Sequence, residues 1–338
     1  MNIEILDCTL RDGGYINNWG FGEKNIRSLI SKLTEAKINI IECGFLTSKP
    51  SNEDFSLFDS MEALAECIYP KSSHSTYVAM LQFGDDEIKV EKISEHKEEF
   101  IDGIRIIFHE QDLFKAIETG KKLKEKGYKI FLQPMKTRDY KNDDLIDLIK
   151  EVNGLEPHAF YIVDTFGSMY KKDLLQLFSL VDSNLKEDIK IGFHSHNNLQ
   201  LSFSNAQELM NYETDREIII DSSVSGMGRG AGNLPTEILA RYVNDNFQNS
   251  YKISRLLNIY DEHLSAFFAK TPWGYSLPYF LSASHNCHPD YATHLWNKQN
   301  ISVETIDTLL GQIPNDKKSV YDKAFIENLY SSFNLQLV

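Results

Sequence analysis

A chain of 338 residues with 42% hydrophobic and 25% charged residues has the composition of a globular protein with a sizeable core. Its formal net charge of −14 sets the surface against phosphate backbones, which excludes general nucleic-acid binding without a compensating basic patch. No apolar run reaches bilayer length, and the start Met1-Asn2-Ile3-Glu4 has no basic leader, so neither membrane insertion nor secretion is expected.

The cysteines Cys8, Cys43, Cys67 and Cys287 are scattered, with no Cys-x-x-Cys pair, as expected of reduced thiols in a cytoplasmic enzyme. In chain order, short β-branched runs alternate with longer segments of helical periodicity, the pattern of repeated βα units around a parallel sheet. The runs predict strands at Ile3–Leu10, Ile38–Phe45, Thr76–Leu81, Gly103–Phe108, Lys129–Pro134, Ala159–Asp164, Ile189–His196 and Ile218–Ser223. Between them, segments such as Asp112–Lys126 and Asp143–Asn153 space their apolar residues as helices do. The run Lys121, Lys122, Lys124 and Lys126 falls on such a helix and reads as a solvated face.

Eight strands are the number that closes a (β/α)8 TIM barrel, although an open doubly wound sheet shares the alternation. Polar placement favours the barrel. Asp12, Glu42, Asp164, His194 and His196 all fall at or just after strand C-terminal ends, which in a barrel converge on one mouth. After about Asn246 the alternation stops and helices follow, broken around Thr271–Pro278 and at His288-Pro289. A catalytic barrel over 1–245 and a C-terminal helical domain over 246–338 are therefore expected.

Three segments carry chemistry. His194 and His196 lie two apart on one strand, so both imidazoles point the same way and can bind one metal ion. Arg11 and Asp12 end the first strand. They are either a simple ion pair, or a metal-binding carboxylate beside a cation for a developing enolate oxygen. Gly13-Gly14 allows a tight turn there. The third segment, Gly226-Met227-Gly228-Arg229-Gly230-Ala231-Gly232-Asn233, lacks the ending of a nucleotide P-loop and reads as a turn presenting Asn233 to the mouth.

Together the Leu-Arg-Asp-Gly start, the His-Ser-His-Asn strand and the Gly-x-Gly-x-Gly-Ala-Gly-Asn loop resemble the DRE-TIM metallolyases, over roughly Ile3 to Glu237. Within that superfamily the sequence is most similar to the 4-hydroxy-2-oxovalerate aldolase branch of the HMGL-like proteins. The resemblance implies a divalent metal ion, Mn²⁺ first and otherwise Mg²⁺, Co²⁺ or Zn²⁺, held by Asp12, His194 and His196, with Asn233 as a further ligand or close neighbour. It implies that Arg11 holds the keto or enolate oxygen and that Glu42 is a mouth glutamate. It also implies that Asp164 belongs to the polar network, that Thr165 contacts substrate, and that Tyr279 is the tyrosine lent by the helical domain.

Tyr15 stands where the aldolases carry a histidine base, and tyrosine, with a reference pKa near ~10, suits a proton donor better than a base. The loop from Met227 to Asn233 lacks the cysteine of the CoA-thioester lyases.

The implied activity is cleavage or formation of a carbon–carbon bond beside a 2-keto acid, giving a pyruvate enolate and an aldehyde. The implied partners are these small molecules, with a homo-oligomer or an aldehyde dehydrogenase left open. Three other readings remain: a Claisen-type acyltransferase using acetyl-CoA, a non-haem iron oxygenase, and a catalytically silent scaffold barrel. His285, His288 and His294 could form a second metal site, though capping or solvated roles fit them better.

Overall fold

The computed structural model describes residues 3–247, 250–298 and 301–336. Eight parallel strands form the barrel: β1 (Ile3–Asp7), β2 (Ile40–Leu46), β3 (Thr76–Gln82), β4 (Gly103–Phe108), β5 (Lys129–Pro134), β6 (Ala159–Asp164), β7 (Lys190–Ser195) and β8 (Ile218–Ser222). The sheet closes because β1 pairs with β2 through Leu6↔Ile40 and with β8 along its whole length, from Ile3↔Ile218 to Asp7↔Ser222. An open sheet is thereby excluded. A two-residue parallel segment, Leu57–Phe58, adds to the C-terminal end of β2.

The alternation of side chains along each strand sorts the core into two layers. Outward residues such as Ile5, Ile41, Ile104, Ile162 and Ile220 pack under the helices in the larger cluster. Inward residues Leu6, Ile40, Val78, Phe131, Ala159, Tyr161 and Ile219 fill the barrel. The helix Glu23–Glu35 shows the complementary logic: Ile26, Leu29, Ile30 and Leu33 form one buried stripe, and charged residues face outward. The lysine run lies on helix Leu113–Glu125 and its C-cap, with Lys121 paired to Glu118 at 3.0 Å and Lys122 to Glu91 at 3.7 Å.

The first strand is shorter than its apolar run predicts. After Asp7 the chain turns into a four-residue helix, Thr9–Asp12, because the Asp7 carboxylate accepts from the Thr9 N–H and the Cys8 carbonyl accepts from Arg11 and Asp12 N–H groups. The seventh strand also ends one residue early, at Ser195, and His196 continues as an isolated antiparallel bridge to Asn233.

Beyond the barrel, Leu256, Ile259, Leu264 and Trp273 still belong to its outer core, whereas Leu281, Tyr291, Leu295, Ile306, Leu309 and Ile326 form a separate one. The helices Leu277–Ser284 and Pro289–Trp296 begin where the prolines allow, with Pro278 and Pro289 in first turns. The three histidines of this region have separate partners: His285 with Asp307 at 2.7 Å, His294 with Glu327 at 2.8 Å, and His288 with Arg229. They form no common metal site.

His158, at the entrance to β6, packs edge-on against Phe131 at the bottom of the barrel. Burial, reinforced by Lys190 and Lys129, lowers its pKa to about 4. An imidazole held neutral in the fold must charge on unfolding, so its contribution is complete above pH 6.5 and is lost as the pH falls through 4. Relative to the wild type, His158→Gln should flatten the loss of stability between those values by up to about 3 kcal/mol, read by urea denaturation at stepped pH.

Candidate active site at the barrel mouth

The short helix after β1 places Arg11 and Asp12 side by side, both almost wholly buried. Gly13 is helical, at φ −59°, so backbone freedom is not its purpose; a Cβ there would sit 2.3 Å from the Thr9 carbonyl oxygen. At Gly14 a Cβ would strike the Trp19 indole, whose Nε1–H donates to the Arg11 carbonyl at 2.8 Å. The glycine pair thus makes room for the groups that lock the Arg11-Asp12 turn.

From β7, His194 and His196 turn inward as their spacing predicts, with ring centroids 5.3 Å apart. His194 Nε2 stands 3.3 Å from Asp12 Oδ2, and His196 Nε2 stands 3.8 Å from the same oxygen. On its other side His194 Nδ1 is 3.0 Å from Asp221 Oδ2. A carboxylate accepts, so Nδ1 carries the hydrogen and Nε2 faces Asp12. Asn233 is buried nearby through its bridge to His196; its amide N–H donates to the Met227 carbonyl at 3.2 Å. Gly232 makes that turn possible, because at φ 84° its Cβ would lie 1.9 Å from the Gly226 oxygen.

Below these groups lies a charged layer that the motifs do not announce. Arg105 projects inward from β4, fully buried, with its guanidinium 2.8 Å from Glu42 Oε2 and hydrogen-bonded to Asp221. Its guanidinium carbon lies 4.8 Å from the centre of the Tyr161 ring. Glu42 Oε2 also accepts from Arg11 Nε at 2.9 Å. The charges alternate, from Arg105 through Glu42 and Asp221 to Arg11 and His194, and then to Asp12. Arg105 and Asp221 are the residues that motif reading missed. Each is a lone charge in an apolar strand, in Gly-Ile-Arg-Ile-Ile-Phe and Ile-Ile-Ile-Asp-Ser, which was the signal available.

Electrostatics follow from this layering. Burial works against charge on Asp12, but Arg11 and the two imidazoles outweigh it and hold the carboxyl well below the usual range. Burial, with the charges of His194, Arg11 and Arg229, lowers the His196 pKa to about 4, so its ring is neutral and free to act as a ligand. For His194 burial is outweighed by Asp12 and Asp221, which raise its pKa. A cation at Nε2 would compete with the proton there.

The donor set fits a divalent metal ion. Both Asp12 oxygens and Asn233 Oδ1 are buried without a hydrogen-bond partner, a costly arrangement unless something positive is bound. With two imidazoles they offer mixed oxygen and nitrogen ligation. Cys8 Sγ also lies near Asp12 and His194, but it donates to the Ser222 carbonyl at 3.2 Å, and burial pushes its thiol well up, so it offers no thiolate.

A cavity of about 200 Å³ opens above this cluster, lined by Arg11, Asp12, Tyr15, Thr165, His194 and His196 among others. Thr165 points in, and its hydroxyl accepts from the Lys136 N–H at 2.8 Å. Asp164, one residue earlier, faces the other way and accepts from the Ser168 and Met169 N–H groups at 2.8 and 3.1 Å. Strand alternation separates this pair: the acid fixes the turn, and burial raises its pKa to about 6. Glu42 likewise sits beneath the cavity rather than on its wall. Tyr279 is not on the wall of this cavity; it lines an adjoining groove with Tyr15 and Arg229. Tyr15 stacks edge-on with Trp19, and burial together with the Asp12 charge raises its pKa, so it stays protonated.

The sequence matches the HMGL-like family over residues 105–261. A 4-hydroxy-2-oxovalerate aldolase from Geobacillus genomosp. 3 is 28% identical over 240 residues, covering 70% of this chain and 69% of the aldolase. An oxaloacetate decarboxylase from Mycobacterium tuberculosis is 24% identical over 249 residues, covering 70% and 68%. Among solved structures, the N-terminal domain of an aldolase-like protein from Bacteroides vulgatus superposes with a TM-score of 0.75 at 28% identity, covering 90% of this chain and 98% of that one. The closed barrel and these likenesses agree: the chain is similar to the HMGL-like family over 105–261 and to 4-hydroxy-2-oxovalerate aldolases over 70% of its length.

Proposed function

We propose that this chain is a divalent-metal-dependent carbon–carbon lyase acting beside a 2-keto acid, cleaving to or joining a pyruvate enolate and an aldehyde. The observation that carries this reading is the buried Asp12 carboxylate, with no hydrogen bond to either oxygen, set 3.3 Å from Arg11 and His194 and 3.8 Å from His196.

Asp12, His194 and His196 would hold the ion, with Asn233 Oδ1 as the fourth protein donor. When bound, the ion supplies Lewis acidity toward the carboxylate and keto oxygens of the substrate. Mn²⁺ heads the candidates, ahead of Mg²⁺, Co²⁺ and Zn²⁺, all compatible with mixed oxygen and nitrogen donors.

Arg11 sits with one guanidinium nitrogen, Nη2, buried and unpartnered, while Glu42 and Asp12 hold its others. That free N–H is aimed to stabilise charge developing on the enolate oxygen. Glu42 acts through Arg11, which it orients. Thr165 offers a hydroxyl at the cavity wall, and Tyr15 a neutral phenol able to give a proton.

The cytoplasm suits the four free cysteines. An aldehyde product gives a dehydrogenase, or a second copy of the chain, a chemical reason to dock.

The direct test measures cleavage of 4-hydroxy-2-oxo acids before and after chelation. Activity should vanish with the metal and return with one added divalent ion. Turnover untouched by chelation overturns the reading, and thiol release from acetyl-CoA instead would favour the acyltransferase.

A further inference from the structure

Two cations that the lyase chemistry does not use also line the cavity. Lys136 lies after β5, and Arg229 lies in the glycine-rich loop after β8. Each is held by a neutral group from the C-terminal region. Lys136 Nζ bonds to the Ser319 hydroxyl, and Arg229 bonds to His288 Nε2. Burial, followed by the Arg229 charge, lowers the His288 pKa to about 4, so that ring adds no charge and takes none away.

Acidic partners exist, but outside the cavity. Asp139 lies 3.9 Å from Lys136 and Asp290 lies 3.4 Å from Arg229, and neither lines the wall. Among the described residues that line it, Asp12 is the one carboxylate, and Arg11 and the metal-binding cluster already engage it. In a chain of net charge −14, this wall is an inversion of sign.

We propose that Lys136 and Arg229 form a subsite for a second anionic group, so that the aldehyde half of the substrate carries a carboxylate or a phosphate. The proposal rests on the lyase reading for the other half of the molecule. The 2-keto acid end is met by Arg11 and the Asp12–His194–His196 cluster; the distal anion is met by a lysine and an arginine whose acidic neighbours, Asp139 and Asp290, lie off the cavity wall. Ser319 and His288 position the two cations, which makes the C-terminal helices part of the specificity of the barrel.

The test compares aldol synthesis from pyruvate with butyraldehyde, succinic semialdehyde and glycolaldehyde phosphate, using the metal-loaded full chain. One of the anionic aldehydes should show kcat/KM at least about tenfold above butyraldehyde, the worth of a charge-assisted hydrogen bond. The preferred arm tells carboxylate from phosphate. In Lys136→Met and Arg229→Met the anionic-to-neutral ratio should fall about tenfold each, a change that a general loss of folded protein does not produce. A ratio near one in the wild type, or variants that slow all aldehydes equally, overturns the subsite.

If no aldehyde reacts, the lyase reading fails, and calorimetric titration of the metal-loaded protein with 2-oxohexanoate and 2-oxoadipate decides the subsite separately. Tighter binding of 2-oxoadipate by about tenfold supports it, and equal binding overturns it.

Discussion

Asp12→Asn should lower kcat/KM for aldol cleavage by about 10³-fold and leave the protein unable to retain a divalent ion through desalting. The substitution preserves shape and one oxygen donor, so the loss reads charge rather than packing. In the wild type this carboxylate is shared by Arg11, His194 and His196, at 3.3, 3.3 and 3.8 Å, whereas Glu42 reaches Arg11 and Asp221 reaches the other nitrogen of His194. Removing that charge leaves a ligand cluster with no anion of its own, and the ion is then held by neutral donors against the adjacent guanidinium. Elemental analysis alongside the rate measurement checks both halves. Wild-type metal content with wild-type turnover would refute the assignment of Asp12.

Arg105→Met should destabilise the fold by about 3–5 kcal/mol, among the largest effects of any single change in the barrel. Its guanidinium is fully buried between Glu42 and Asp221, and it neutralises two carboxylates that no water reaches. The methionine removes the cation the two acids share and leaves Glu42 to Arg11 and Asp221 to His194. An acid that takes a proton to offset the loss also releases its hold on Arg11 or His194. Urea denaturation gives the stability, and adding Glu42→Gln and Asp221→Asn should return a large part of it. A change below about 1 kcal/mol in Arg105→Met alone would show that the layer is not energetically coupled.

What the sequence disclosed, and what it hid, follows from how far each signal reaches along the chain. Strand periodicity is local, so all eight strands were legible, and their polar C-terminal ends pointed to one mouth. Boundaries moved by a residue or more at β1 and β7, where side-chain bonds by Asp7 and the Asn233 bridge override apolar propensity. His194 and His196 share a face by strand geometry alone. Asp164 and Thr165 are adjacent in sequence yet face opposite sides, and the same alternation could have separated them in advance. Arg105 and Asp221 are 116 residues apart, and nothing local says they meet. Only the closure of the barrel brings their two isolated charges together.

That closure has a temporal consequence. The strand holding the Arg11-Asp12 turn is made first, but its lateral partners are β2 and the last strand, β8. During synthesis the carboxylate and its guanidinium neighbour must wait for His194, Asp221 and Asn233, which leave the ribosome only after most of the barrel has been translated. Until then the first strand presents one unpaired edge. The cluster of Asp12, His194 and His196 is therefore a product of the final seam, and a divalent ion that binds only the finished cluster would act as a latch on it, drawing the two ends of the barrel together from inside.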